Sequence, residues 1–128
     1  MSYYFATTID ADFDEAVERT RAALKAEGFG VITEINVRQT LADKIGVAFR
    51  PYVILGACNP AMAYEALQLE DKVGAMLPCS VVVQDSGNGR VEIAAIDPVA
   101  SMQAIDNARL TDKAQAVGAR LRAAVEAI

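Results

Sequence analysis

Residues able to do chemistry gather in two short stretches, Pro51-Tyr52-Val53-Ile54-Leu55-Gly56-Ala57-Cys58-Asn59-Pro60 and Leu77-Pro78-Cys79-Ser80-Val81-Val82-Val83. Both cysteines of the chain lie in them. Asn59-Pro60 reads as a helix start, because Asn accepts from free backbone N–H groups and Pro at the first helical position gives up no bond by lacking its own. Cys58 therefore sits just before a helix N-terminus, whose partial positive charge favours a thiolate over a thiol. Cys79 opens a second apolar run after Pro78. If the two strand ends are neighbours, the thiols come within reach of each other, and disulfide or persulfide exchange with Cys58 attacking is the chemistry that needs the fewest further groups. Both cysteines also fit as small buried core residues, since free cysteine is among the most buried types.

The rest of the composition narrows the chemistry. The chain contains no histidine, which removes Ser-His-Asp and Cys-His catalysis and the commonest nitrogen metal ligand. Two thiolates alone do not complete a soft-metal site, so no metal and no cofactor is assigned. Lys44, Arg50 and Tyr52, with Asn59, form a second candidate set that would fix a small anionic ligand if the short helix carrying Lys44 folds over the sheet. Glu34, Asp85, Glu92 and Asp97 are read as solvated strand-face and turn carboxylates rather than an acid–base pair.

Length and charge set the class of molecule. At 128 residues and 53% hydrophobic content, the chain is read as one domain, 1–128, able to bury a core without staples. A net charge of −5 with no basic stripe argues against nucleic acid as a partner. No apolar run reaches membrane-spanning length, and Met1-Ser2-Tyr3-Tyr4 leads straight into a strand-like run without an export signal, so the expected location is the cytoplasm, with free thiols or a transient redox pair rather than a structural disulfide.

The elements that must position the thiols follow from periodicity and punctuation. Tyr3 to Ile9 predicts a strand, Asp10 or Asp12 caps a helix that stops at Gly28, and Phe29 to Asn36 predicts a second strand. Val37 to Ile45 predicts a short helix ended by Gly46. Pro51 to Ala57 is the third strand and Pro60 to about Glu70 the next helix, with Gly56 allowing a close approach to the strand. Ser80–Gln84 and Arg90–Ile96 predict a hairpin across a five-residue turn, Asp85 to Gly89. A short link from Val99 to Ile105 and a long helix from Asn107 to Ile128 complete the chain. The fold class is α+β: a mainly antiparallel sheet of about five strands in β-α-β(4)-α order, with helices on one face and short helical inserts. The uncovered face or an edge of the sheet, in so apolar a chain, predicts closure by a second copy.

Gly28-Phe29-Gly30-Val31-Ile32-Thr33-Glu34-Ile35, Thr40-Leu41 with Lys44 and Gly46, Pro51-Tyr52 with Ile54 to Pro60, Leu77-Pro78-Cys79 with Val81 to Val83, and Asp97-Pro98 with Met102 resemble the family called domain of unknown function 302. The resemblance implies a TBP-like fold, a curved antiparallel sheet with helices against it, and a tendency to dimerise. It implies no activity, and a likeness of shape carries no expectation of DNA binding. From the residues themselves, the leading expectation is small-molecule or sulfur-linked binding at Cys58 and Cys79, with thiol redox or sulfur transfer as its sharper form. The rival is a non-catalytic dimeric interaction module in which the cysteines only pack. Whether the protein is an enzyme is left open by the sequence.

Overall fold

The computed structural model describes residues 2–128. Five strands, β1 (Tyr4–Asp10), β2 (Gly30–Asn36), β3 (Tyr52–Cys58), β4 (Cys79–Gly87) and β5 (Arg90–Ile96), form one sheet in the order β1-β5-β4-β3-β2. Every neighbouring pair is antiparallel. The sheet does not close, and β1 and β2 are its edges. The helices are α1 (Phe13–Ala26), α2 (Val37–Ile45), α3 (Pro60–Leu69), α4 (Pro98–Ser101) and α5 (Ala108–Glu126), with a 3₁₀ segment at Asp71–Met76. The α+β class, the strand number and the helical inserts are as the sequence predicts.

Strand alternation decides where the core lies. Val53, Leu55 and Ala57 of β3, Cys79, Val81 and Val83 of β4, and Val91, Ile93 and Ala95 of β5 are buried on one face. They pack with Ala16, Val17 and Leu24 of α1 and Leu121, Ala124 and Val125 of α5. A second cluster, Ala66, Val73, Met102, Leu110 and Ala114, fills the space between α3, the 3₁₀ segment and α5. Asn107 ties these pieces together: its Oδ1 accepts from the backbone N–H of Arg109 and Leu110 at 3.1 and 3.2 Å, while its Nδ2 donates to the Leu69 carbonyl at 3.2 Å. One side chain thus caps α5 and closes the end of α3.

Two local expectations change. Asp12 is the N-cap residue of α1, but its side chain makes no capping hydrogen bond. The hairpin turn is tighter than five residues. Asn88 and Gly89 both have positive φ, +57° and +73°, the backbone of a two-residue turn whose twist matches the strands. A register shift between Asp85 and Gly87 absorbs the remaining residues into β4, helped by Asp85 Oδ1 accepting from the Gly87 N–H at 2.8 Å.

Candidate functional site

The site is built where β3 ends and β4 begins. The chain enters α3 as the sequence predicts: Asn59 is the N-cap, its Oδ1 accepts from the Met62 N–H at 3.1 Å, and Pro60 opens the helix. Cys58 is the last residue of β3 and Cys79 the first of β4, and the register pairs Ala57 with Cys79 and Gly30 with Cys58. The two cysteines are therefore one register step apart on adjacent strands. Both are free thiols. Gly56 explains how the loop before β4 comes so close. A Cβ at this position would lie 2.7 Å from Pro78 Cγ and also against Thr33, so only glycine leaves room for both.

Cys58 and Cys79 border one cavity of about 40 Å³. Its walls come from the ends of β3 and β4, from Met62 and Ala66 of α3, from Met102 just after α4, and from Leu110 and Lys113 of α5. Cys58 is half-buried, whereas Cys79 is only 6% exposed and belongs to the main core. That burial pushes the Cys79 thiol up to about 11, and the charge of neighbouring Cys58 adds to the rise. Cys79 is thus protonated at neutral pH, and the thiol with access to solvent is Cys58. Among the described residues, Lys113 is the one charged side chain on the cavity wall, and its Nζ pairs with Glu65 Oε2 at 2.6 Å, joining α5 to α3.

The remaining sequence candidates lie elsewhere. Tyr52 and Arg50 stand at the opposite end of β3 from Cys58. The Arg50 guanidinium sits over the rings of Phe49 and Tyr52, 4.4 and 5.6 Å from their centroids, and its Nε donates to Gln84 Oε1 at 3.0 Å. Tyr52 borders a broad groove on the helix-free face of the sheet together with Tyr3, Tyr4, Val82 and Ala94. Lys44 is exposed in the last turn of α2. Of the second candidate set, only Asn59 reaches the cavity. The carboxylates are dispersed into local roles: Glu34 pairs with Arg21, Asp85 closes the hairpin, Glu92 accepts from Gln84, and Asp97 caps Val99. Met62 carries no local signal of its own in the sequence, and Met102 enters there only through the family resemblance. Their convergence on the thiols depends on α3 and α4 meeting α5, which no local pattern encodes.

The model of the family described as domain of unknown function DUF302 matches residues 5–128. A crystal structure of an uncharacterized conserved DUF302 protein from Bacillus stearothermophilus is 31% identical, covers 99% of this chain and 98% of its own, and superposes with a TM-score of 0.91. No curated protein matches the chain.

Proposed function

This chain belongs to the DUF302 family, and from that premise we propose that it binds a small sulfur-linked ligand in the cavity between Cys58 and Cys79, in the reducing cytoplasm where both thiols stay free. The supporting observation is that one small cavity is bordered by both cysteines, one half-exposed and one buried. Asn59 holds the Cys58 end by capping α3. The sharper form of the reading is sulfur transfer. The Cys58 thiolate attacks the outer sulfur of a persulfide donor, RSSH; a bond forms between Cys58 Sγ and that sulfur, the donor S–S bond breaks, and its electron pair leaves with RS⁻. Treatment of the native protein with the persulfide of a small thiol tests this by intact mass. The reading expects one added sulfur atom on the wild type and on Cys79→Ala, and none on Cys58→Ser. Equal labelling of Cys58→Ser, or none on the wild type, counts against it.

A second reading has its own support. Cys79 is packed with Val81 and Val83 in the main core, and the helix-free face carries an open groove with Tyr3 64% exposed. Ile32 and Ile35 on β2 and Ile45 at the end of α2 are further exposed large apolar residues. In this reading the protein is a non-catalytic dimeric module whose copies meet through that face.

A further inference from the structure

Four sulfur-bearing residues from four separate parts of the chain line the same cavity. The protein has two cysteines and four methionines; Cys58 of β3, Cys79 of β4, Met62 of α3 and Met102 after α4 all line it. We propose that this cavity is a site for a soft monovalent metal ion, Cu(I), held by the thiolates of Cys58 and Cys79 with thioether ligation from Met62 and Met102. The inference rests on the reading of the cavity as a thiol site and names its ligand.

The donor chemistry selects the ion. Hard cations need oxygen; thiolate sulfur suits both Cu(I) and Zn²⁺, but zinc sites are completed by thiolate, imidazole or carboxylate, and the thioether donors are what favour Cu(I) here. The chain has no histidine, no Asp or Glu lines the cavity, and among the described residues no three or more His, Cys, Asp and Glu side chains gather to hold a metal. The thioethers supply the further ligands that two cysteines lack. Size points the same way. About 40 Å³ accommodates an ion, whereas pockets for drug-sized molecules run to roughly 300–1,000 Å³.

Access is consistent with exchange of the ion. Met62 and Cys58 are half-buried and form the outer side, and Cys79 and Met102 are buried and form the inner side. Binding replaces two thiol protons by one Cu(I), leaves the oxidation state unchanged, and gives a complex with one net negative charge. Lys113, the charged side chain on the wall, is already paired with Glu65 Oε2 at 2.6 Å.

The test is anaerobic titration of the reduced full-length protein with Cu(I) against a competing chromogenic chelator, with metal content measured after desalting. The expected result is one ion per chain, both thiols protected from alkylation while it is bound, and affinity lowered at least about tenfold in Met62→Leu/Met102→Leu, the lower end of what losing even an outer-shell partner of a metal costs. Leucine keeps size and apolarity, so circular dichroism of that variant should be unchanged; Cys79→Ala serves where Cys79→Ser fails to fold. Unchanged affinity in the methionine double variant, or in Cys58→Ser/Cys79→Ala, overturns the proposal. Alkylation of the metal-free protein reads the thiol site alone: a reactive Cys58 without Cu(I) affinity sinks the metal and leaves the sulfur-linked reading standing, and an inert Cys58 sinks both.

Discussion

At the scale of single residues, the two cysteines differ in the one property that matters most for thiol chemistry, access to water. Cys79 is buried and its proton is held up to about 11, from an ordinary value of 9.0. The consequence for stability has a definite sign. Below pH 9 the folded and unfolded chains both keep the proton; above it the unfolded chain loses its proton first, so stability falls until the folded thiol also ionises near pH 11. The loss attributable to Cys79 is roughly 2–3 kcal/mol. Urea denaturation at successive pH values should show this extra decline in the wild type and not in Cys79→Ala; parallel declines in both would mean that Cys79 is not held in its neutral form. The pairing of Cys58 with a helix start was legible because Asn59-Pro60 is a local signal. The difference in burial was not, since it is set by α1 packing on β4 and by α3 and α5 meeting at the end of the sheet where Cys79 lies.

At the scale of elements, the loop before β4 is fitted against β3 through a missing side chain. Gly56→Ala would drive a methyl into Pro78 and Thr33, neither of which is the far end of a flexible side chain. It should destabilise the fold by about 1–3 kcal/mol, the usual range for overpacking. It should also displace Cys79, measured as faster alkylation of that thiol under native conditions; a variant as stable as the wild type with Cys79 still protected would contradict the fitted-loop account. Sequence punctuation served well wherever an element ends on its own chemistry. Val37–Ile45 stops at Gly46, whose φ is +66°, and Pro60 begins α3 as expected. It served less well at the hairpin. Five consecutive turn formers gave no way to choose which two make the turn, and the choice is made by strand pairing between β4 and β5.

At the scale of the whole molecule, the long helices α1 and α5 pack on one face of an open sheet, and the other face carries the groove bordered by Tyr3, Tyr4 and Tyr52. A second copy is the occupant proposed above, and sedimentation should then give a dimer. Ala94→Arg, on the lining of the groove bordered by Tyr3, Tyr4 and Tyr52, should convert it to a monomer; a wild-type monomer, or an Ala94→Arg dimer, would place any association elsewhere. The architecture was legible from the order of strands and helices. The cavity was not, because its walls come together only when α3, α4 and α5 meet at one end of the sheet. The central claim is that this end of the molecule presents a working thiol. Its most direct test is the alkylation rate of each cysteine in the native protein, followed by intact mass with Cys58→Ser and Cys79→Ala as controls. The account predicts that Cys58 reacts in the folded state at least about tenfold faster than Cys79. Two thiols that react only on unfolding would contradict it and leave both cysteines as core packing.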